Sequence, residues 1–519
     1  MRFQAAPGET VKNESIVVIG AGFAGLSAGI YGQMNGYKTR IFEMHTLPGG
    51  LCTSWKRKGF TVDGCIHWLV GSSPRSGMHR YWEEVGIAQR RQFIDMDEFM
   101  RFEGVDGRTL ILYTDVDRLE GHLLQFAPQD AAATRRFIAG IRACFPLDPP
   151  SEYAPLLTRL RKGLAMGLLL LTKGRQMRRW LNTTAAEFAD QFTDTSIRTA
   201  LGSMWFPDFS AFGILATLAW LHKRNAGYPL GSSLPMSRAL EKRYADLGGT
   251  VSYGSRVEKI LTEGGKAVGV RLADGSEHRA GRVISAADGH STIFRMLDGK
   301  YVDEKTRVPY ERWQTFPPLV YVSLGVNRSF TDDPLTVSGI NFPLRKATEI
   351  GGIVYERMTA HIYNHDPTLA PAGKTVLTVM LPGSYGYWKD LAKDREGYDD
   401  MKGRVGRTVV DLLEGRFPGI SSEVEMIDVA TPLTFERYTG NWKGSFEGWL
   451  LTPENSFTMM RPMAQTLPGL GNFYMCGQWV QPGGGLPTGV MTARRLLKAI
   501  CREDRRRFRT TVAGNRLFG

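Results

Sequence analysis

Cysteine is scarce in this sequence. Five cysteines are scattered along 519 residues, and no CxxC pair occurs among them. This spacing argues against a disulfide framework, a zinc ribbon and a dithiol redox pair, so we expect no metal site and a reducing, cytoplasmic compartment. The five are Cys52, Cys65, Cys144, Cys476 and Cys501.

Long apolar runs are also absent. The longest uninterrupted apolar stretch lies around Gly163–Leu171, much shorter than the ~20 residues of a membrane-spanning helix. Residues Met1–Glu14 lack the apolar run of a signal peptide. We therefore expect a protein that does not cross a membrane, although it can lie on the surface of one.

The composition is that of a large globular protein with a basic surplus. Apolar residues make up 42% and no long biased tract occurs, which excludes disorder, collagen and a coiled coil as the main architecture. Lys and Arg number 65 against 52 Asp and Glu, a net charge of +13. This surplus favours nucleic acid, an anionic membrane or an anionic cofactor as a partner. The lack of RNP, zinc-finger and helix-turn-helix patterns argues against nucleic acid.

The strongest motif lies near the N-terminus. Ser15–Ile19 is a β-branched run typical of a buried parallel strand. It leads into the GxGxxG sequence of residues 20–25, a helical stretch, and a second strand, Lys38–Phe42, which is followed by Glu43. This order of elements predicts a dinucleotide-binding βαβ unit.

Each residue of that motif has a physical role. Gly20 makes the tight turn, Gly22 lets the backbone approach a diphosphate, and Gly25 lets helix and strand pack closely. Phe23 and Ala24 begin the helix whose N-terminus attracts the phosphates. Glu43 accepts hydrogen bonds from ribose hydroxyls and disfavours a 2′-phosphate.

A second glycine pair follows the ribose acid, in the segment Pro48–Trp55 with Gly49, Gly50 and Leu51. Together with residues 20–25 and Glu43, this segment resembles the start of the phytoene desaturase, carotenoid isomerase and retinol saturase group of FAD-dependent oxidoreductases. The stretch Gly59–Trp68 continues the resemblance. It implies FAD as the cofactor, and it implies that Val257 contacts the adenine through its backbone.

The C-terminal region is similar to the same family. A predicted strand within Gly471–Val480 leads into the glycine-rich loop of residues 481–489 and a predicted helix, Val490–Ile500. The resemblance implies cofactor contacts from Gly477, Gln478, Gly484, Gly485 and Leu486. Gln478 stands where the family usually has an aspartate, so the contact there loses its charge.

These motifs predict an α/β fold with a discontinuous Rossmann-type FAD-binding domain, like that of amine oxidases, and an inserted α+β substrate domain. We assign residues 13–85, 235–300 and 465–502 to the FAD-binding domain and residues 86–234 and 301–464 to the substrate domain. Residues 503–519 form a basic tail that we expect to be flexible.

Several residues are candidates for chemistry or substrate contact. His67 follows the second glycine segment and is a candidate proton shuttle, and Trp479 is a candidate to face the flavin or the substrate. Tyr385, Tyr387 and Trp388 are candidates to line an apolar channel.

Basic residues surround leucines in the segment Leu156–Leu181, which also contains Trp180. This pattern suits a helix lying on an anionic bilayer, with the tryptophan at the interface. The alternative is a basic, solvated helix face that packs over the substrate domain.

The leading hypothesis is an FAD-dependent oxidoreductase that acts on carbon–carbon bonds of a hydrophobic polyene, isoprenoid or polyene polyketide by hydride transfer at flavin N5. Desaturation, saturation, isomerisation and reductive cyclisation share one site plan and stay open. No second GxGxxG has a strand before it, so the electron donor or acceptor also stays open. The alternatives are a flavin amine oxidase and a non-catalytic prenyl carrier that resembles GDP-dissociation inhibitors.

Overall fold

A computed structural model describes residues 14–89, 91–147 and 156–512 of the chain. Strands are numbered β1–β20 and helices α1–α15 in chain order. Five parallel strands from distant parts of the sequence form one sheet. In spatial order they are β10 (Thr250–Ser252), β2 (Lys38–Phe42), β1 (Ser15–Ile19), β14 (Arg282–Ser285) and β20 (Phe473–Met475).

Side-chain alternation along β1 builds two cores. Ile16 and Val18 pack toward helices on one face, whereas Val17 and Ile19 pack toward an antiparallel sheet on the other. A strand with apolar residues on both faces is typical of a sheet covered on both sides. The antiparallel sheet contains β11 (Val257–Glu263), β12 (Lys266–Leu272) and β13 (Glu277–Arg279).

The segment Thr250–Ile260 reads as one strand in the sequence but is two strands in the structure. Its first part is β10 of the parallel sheet and its second part begins β11 of the antiparallel sheet. Gly254 lies between them with a φ of +62°, a conformation that glycine adopts readily. The turn at this glycine takes the chain from one layer to the other.

A second, seven-stranded sheet faces the carboxyl ends of the parallel strands. Its strand β15 is buried at all eight positions, because both faces of the sheet are covered. In spatial order the strands are β19 (Val424–Ala430), β15 (Leu319–Val326), β18 (Thr375–Pro382), β17 (Ile353–Ile362), β16 (Ile340–Ile350), β7 (Glu98–Glu103) and β8 (Thr109–Tyr113).

Short strands and helices complete the structure. The short strands are β3 (Ser54–Arg57), β4 (Phe60–Asp63), β5 (Leu69–Val70), β6 (Phe93–Ile94) and β9 (Ala226–Pro229). The helices are α1 (Phe23–Met34), α2 (His79–Glu84), α3 (Val116–Phe126), α4 (Ala131–Ala143), α5 (Leu156–Leu181), α6 (Ala185–Ala189), α7 (Thr195–Gly202), α8 (Ala211–His222), α9 (Ser233–Asp246), α10 (Glu304–Arg312), α11 (Tyr385–Leu391), α12 (Arg395–Glu414), α13 (Ile420–Glu423), α14 (Pro432–Thr439) and α15 (Gly485–Glu503). Within the described ranges, no helix has the length and apolarity needed to cross a membrane.

The chain after α15 is packed rather than flexible up to residue 512, so the expectation of a free tail is wrong for this part. Thr510 Oγ1 donates to the carboxylate of Glu84 at 2.9 Å. Glu84 is fully buried and also accepts hydrogen bonds from Tyr31 Oη at 2.8 Å and Arg494 Nε at 3.0 Å. A buried carboxylate needs such partners, which ties this segment to α1, α2 and α15. Residues 513–519 of the predicted tail lie outside the described residues.

Candidate active site

A large cavity lies between the carboxyl ends of the parallel strands and the seven-stranded sheet. Its volume is about 1860 Å³, more than the ~300–1,000 Å³ of ordinary ligand pockets. It therefore has room for a dinucleotide and an elongated second molecule. The sequence-predicted residues in its wall are Gly20, Gly22, Phe23, Ala24, Glu43, Gly49, Gly50, Leu51, His67, Val257, Gly477, Gln478, Trp479, Gly484, Gly485 and Leu486.

Gly25 is the one residue predicted to bind the cofactor that lies outside the cavity wall. A Cβ added at Gly25 would lie 1.9 Å from the carbonyl oxygen of Gly20. The absent side chain therefore lets α1 begin directly against the turn that precedes it, which is the packing role expected of this glycine.

The two N-terminal glycine segments are in direct contact. The Gly49 N–H donates to the carbonyl oxygen of Ala21 at 2.9 Å, and Gly49 forms an isolated parallel bridge with Gly22. A Cβ added at Gly50 would lie 3.5 Å from the Cα of Gly22. The second glycine pair thus packs on the first turn, and both face the cavity.

Glu43 follows β2 and fixes the shape of this turn. Its Oε2 accepts the N–H of Ala21 at 2.6 Å and its Oε1 accepts the N–H of His45 at 2.8 Å. The side chain is only 7% exposed. Its carboxylate is therefore held at the cavity wall beside the GxGxxG turn, where the sequence predicts a ribose contact.

The C-terminal motif meets the N-terminal motif at Ala24. A Cβ added at Gly477 would lie 3.1 Å from Ala24 Cβ, and one added at Gly489 would lie 3.2 Å from the Ala24 nitrogen. A side chain at Gly477 would push the loop after β20 away from α1, and one at Gly489 would push α15 away from it. The structure therefore brings residues that are more than 400 positions apart into one wall.

Gln478, the departure from the family pattern, lies half-buried in the same wall. Its Nε2 donates to Asn441 Oδ1 at 3.2 Å. A Cβ added at Gly448 would lie 2.5 Å from the carbonyl oxygen of Gln478. The backbone at Gln478 therefore packs directly against the backbone at Gly448.

The residues present fit FAD. Gly22 precedes α1 and Gly484 precedes α15, and neither contributes a side-chain cap to its helix. A Cβ added at Gly22 would meet only the Gly49 carbonyl oxygen, at 3.8 Å, so a phosphate has space against this turn. Helix N-termini carry unsatisfied N–H groups and partial positive charge, which suit the diphosphate and an anionic flavin edge.

The rest of the cavity is an aromatic chamber. The indole rings of Trp68 and Trp205 stack with their centroids 6.3 Å apart. The ring centroids of Phe316 and Phe446 are 5.3 Å apart. Such walls favour an apolar ligand. The aromatic lining includes Trp68, Trp205, Phe206, Phe209, Phe212, Phe316 and Phe446.

His67 lies at the chamber wall in a stack of rings. Its imidazole is 4.4 Å from that of His361, with the planes 24° apart, and His361 stacks in turn on Tyr363 at 4.4 Å. Burial and the nearby His365 lower the pKa of His67 to about 4. The ring is therefore neutral near pH 7 and is a weak base there.

Trp479 reaches the cavity from a cluster of aromatic side chains. Its ring is 5.0 Å from that of Trp449 and stacks on Tyr310 at 6.3 Å. Trp449 Nε1 donates to the carbonyl oxygen of Trp479 at 3.1 Å. These contacts give Trp479 a packing role at the cavity wall.

The predicted aromatic channel of Tyr385, Tyr387 and Trp388 is wrong. None of the three belongs to the cavity wall. Trp388 is fully buried in the core between the seven-stranded sheet and α12, and Tyr385 Oη donates to Glu436. The turn before α11 directs these rings away from the cavity.

Sequence reasoning missed Glu447, whose carboxyl lies in the cavity wall. Its Oε1 accepts the N–H of Gly485, the first residue of α15, at 3.1 Å. Burial raises the pKa of Glu447 to about 7. Glu447 belongs to no motif with a fixed spacing. The only signal in the sequence is an acidic residue flanked by Phe446 and Gly448.

Comparison with known proteins identifies the family. Residues 23–496 match the family described as flavin containing amine oxidoreductase. The lycopene-forming phytoene desaturase of Pseudescherichia vulneris is 26% identical, covering 94% of this chain and 99% of that protein. The chloroplastic prolycopene isomerase of Daucus carota is 22% identical, covering 92% and 79% respectively. The resemblance predicted from the glycine motifs is confirmed.

Solved structures confirm the fold class. An oxidoreductase from Methanosarcina mazei has a TM-score of 0.59 at 17% identity, covering 93% of this chain and 100% of that one. Cyclohexylamine oxidase from Brevibacterium oxydans has a TM-score of 0.58 at 14% identity, with 95% and 99% covered. The family match spans most of the sequence: the chain belongs to the flavin containing amine oxidoreductase family, and its cofactor is FAD.

Proposed function

We propose that this protein is an FAD-dependent oxidoreductase that acts on carbon–carbon bonds of an elongated, apolar polyene. One observation carries the proposal: a single cavity has the glycine turns of both chain ends on one side and an aromatic chamber on the other. A hydrocarbon offers no hydrogen bonds, so such a site must hold its substrate by shape and apolar contact.

The relatives favour a polyene over an amine. Proteins that match over 92–96% of this chain are named as phytoene or diapophytoene desaturases and prolycopene isomerases. The amine oxidases are structural neighbours at low identity, which indicates a shared fold. A flavin amine oxidase is therefore the less favoured reading of this site.

The glycine turns are the proposed cofactor site. When bound, FAD supplies a hydride-accepting or hydride-donating centre at N5. In this proposal the diphosphate lies at Gly22 and the N-terminus of α1, the ribose at Glu43, and the adenine at Val257. Gln478, Gly484 and Gly485 hold the flavin end, where the N-terminus of α15 favours negative charge.

The two large sheets support separate regions for cofactor binding and substrate binding. We assign the parallel sheet and its covering layers to cofactor binding, and the seven-stranded sheet with helices α3–α8 to substrate binding. Strands β7 and β8 join β15–β19 in one sheet, so the two long insertions are used together.

The flavin spectrum gives the first test. Purified protein is expected to be yellow, with about one FAD per chain, and anaerobic incubation with polyenes of graded length is expected to change the flavin absorbance. A product heavier by two hydrogens indicates saturation, a lighter one desaturation, and an unchanged mass with altered retention isomerisation. Colourless protein that takes up no added FAD would overturn the proposal.

The exposed face of α5 is the proposed contact with an anionic membrane surface. Leu164 and Leu171 are 76% and 87% exposed, and the exposed leucines at 157, 160, 164, 168 and 171 fall on one helical stripe. Arg161, Arg175, Arg178 and Arg179 provide positive charge on this helix. An apolar stripe with basic neighbours suits an anionic bilayer interface.

Trp180 does not take part in this contact, contrary to expectation. It is only 6% exposed, and one of its ring carbons lies 3.2 Å from the position of a Cβ at Gly140. The C-terminal end of α5 is therefore anchored in the protein, and the apolar stripe lies in the preceding turns.

Liposome flotation tests the membrane contact. Binding to vesicles with anionic lipid is expected, and replacing Leu164, Leu168 and Leu171 together by Ser should abolish it. Replacing Arg175, Arg178 and Arg179 by Ser should weaken it, because each basic residue near an anionic surface contributes about 1 kcal/mol. Unchanged flotation of both variants would reject α5 as the contact.

A further inference from the structure

Carboxyl groups are rare in the cavity wall. Such a group is informative because ionisable side chains are costly to place in an apolar site unless they are paired or used. Among the described residues four acidic side chains line the cavity: Glu43, Asp288, Glu436 and Glu447.

Three of these carboxyls have both oxygens engaged in hydrogen bonds. Glu43 accepts two backbone N–H groups beside the GxGxxG turn. Asp288 accepts the N–H of Ser291 at 2.6 Å and that of Trp442 at 2.9 Å. Glu436 accepts the hydroxyl of Tyr385 on both oxygens, at 3.1 and 3.0 Å. These hydrogen bonds hold the three carboxyls in place and leave none of them with an oxygen that lacks a partner.

Glu447 differs from the other three. Its Oε1 has one partner, the N–H of Gly485, and its Oε2 accepts no hydrogen bond from any described residue. No charged side chain contributes to its pKa, which burial raises to about 7 and the Gly485 N–H opposes. A carboxyl with one open oxygen and a pKa near neutrality is suited to accept and donate protons.

The position of Glu447 joins the two halves of the cavity. Its Oε2 lies 1.6 Å from the position that a Cβ at Gly484 would take, and a ring carbon of Phe316 lies 3.1 Å from that position. The carboxyl is therefore between the glycine turn that opens α15 and the aromatic chamber. It is within the wall of the same cavity that would hold both the cofactor and the substrate.

We propose that Glu447 is the acid–base group of this site and exchanges a proton with the substrate carbon next to the one that exchanges hydride. This inference rests on the proposed function. In the desaturation direction, one C–H bond breaks with its electron pair as hydride to FAD, and the neighbouring C–H bond breaks as a proton to the Glu447 carboxylate. The electrons of the second bond form the new C=C bond. Saturation is the reverse, with Glu447 as the proton donor.

The shared helix N-terminus couples this proton to the charge of the cofactor. The N–H of Gly485 belongs to the end of α15 that favours negative charge on the reduced cofactor. Two negative charges there repel each other, so Glu447 binds a proton more tightly when the cofactor is reduced. The glycine turn and Phe316, which surround Glu447, carry no ionisable side chain. The negative charge of Glu447 contributes to the raised pKa of the Cys65 thiol.

His67 is a poorer candidate for this role. Its pKa of about 4 leaves it unprotonated at neutral pH, so it is neither a good donor nor a strong base there. Its stacked position against His361 suits a wall residue. Glu447 is therefore the better candidate for the proton-exchanging group than His67.

Redox titration of the holoenzyme across neutral pH tests the coupling. The midpoint potential of wild-type protein is expected to fall with pH more steeply than that of Glu447→Gln, by the equivalent of one proton per two electrons. Glu436→Gln removes a cavity carboxyl that is already bound by Tyr385, so it should keep the wild-type slope. Turnover of a polyene substrate should fall ~100-fold or more in Glu447→Gln.

Infrared difference spectra separate a chemical role from a structural one. On reduction, wild-type protein and Glu436→Gln should gain a protonated-carboxyl band that Glu447→Gln lacks. Glu447→Asp keeps a carboxyl and should shift the pH at which the slope changes, which preserves the test if the glutamine variant does not fold. Equal slopes and bands in wild type and Glu447→Gln would overturn this inference. Failure of the wild type to bind FAD would instead overturn the proposed function.

Discussion

The carboxyl of Glu447 occupies the space that a side chain at Gly484 would need, with Oε2 1.6 Å from the position of the missing Cβ. Gly484 also has a φ of +66° and a ψ of −160°, a backbone conformation that is essentially restricted to glycine. The start of α15 therefore depends on this glycine for two reasons, one steric and one conformational.

Gly484→Ala should reduce FAD retention and stability. The backbone strain costs about 1–3 kcal/mol, and the added methyl group displaces the Glu447 carboxyl from Gly485. In Gly484→Ala/Glu447→Ala the clash is gone, so the combined cost should be smaller than the sum of the single costs. Urea unfolding and FAD stoichiometry measure this. Additive costs would contradict the steric part, and Gly386→Ala, with open space around it, is the control.

Gly25→Ala should be more damaging because its Cβ would meet backbone. The nearest atom, 1.9 Å away, is the carbonyl oxygen of Gly20, which cannot move without opening the first turn. We expect a loss of about 3 kcal/mol in the free energy of unfolding, together with loss of FAD. Gly121→Ala in α3 should be neutral or stabilising, because a Cβ added there would meet no neighbouring atom within 4 Å outside its own helix turn. Normal FAD content in Gly25→Ala would contradict the prediction.

The histidine stack should make the protein less stable in acid. Burial lowers the pKa of His67 and of His365 to about 4 and that of His361 well below its usual 6.5. Between pH 6.5 and about 4 the unfolded chain binds protons that the folded chain does not, so stability falls as pH falls. Each histidine contributes about 1.4 kcal/mol per pH unit in that range.

His361→Phe tests the effect, since it keeps a ring between His67 and Tyr363 but removes one titrating group. Its melting temperature should fall less than that of wild type as the pH is lowered. Burial raises the pKa of Asp63 to about 7 and that of Asp288 to about 6, which acts in the opposite direction in both proteins and cancels in the comparison. His45→Phe, outside the stack, is the control. Parallel melting curves would contradict the prediction.

Trp388→Ala should destabilise the protein without changing the flavin site. The side chain is fully buried between the seven-stranded sheet and α12, and its truncation should cost ~3–5 kcal/mol. The flavin absorption spectrum and the preference among polyenes should match those of the wild type. An altered preference with unchanged stability would restore the channel role that the sequence suggested.

The sequence predicts the cofactor half of the site because its rules are local. Gly20, Gly25 and Glu43 have fixed spacings on one strand–helix–strand unit, so their positions follow from the chain itself. The bounds of β1 and β2 agree with the prediction for the same reason. The glycines at 484 and 485 could be added because they form a second recognisable turn before a helix.

The substrate half could not be predicted because tertiary contacts decide it. Trp388 and Trp479 are both aromatic residues near glycines, yet one lies in a sheet core and the other at the cavity wall. Glu447 gains its raised pKa only from burial in the folded protein. Trp180 is buried because the last turn of α5 packs against the helix that contains Gly140. The spacing of residues along α5 does not reveal which of its turns is packed in this way.

The arrangement of β20 and α15 also sets the order of events during synthesis. The centre of the parallel sheet is complete once β14 has been made, but β20 and the glycine turn before α15 come nearly 200 residues later in the chain. A ribosome-bound chain that lacks them also lacks the part of the cavity wall formed by Gly477, Gly484 and Gly485. We therefore expect the full set of flavin contacts to form only after β20 and α15 have been made, and until then the edge of β14 stays unpaired.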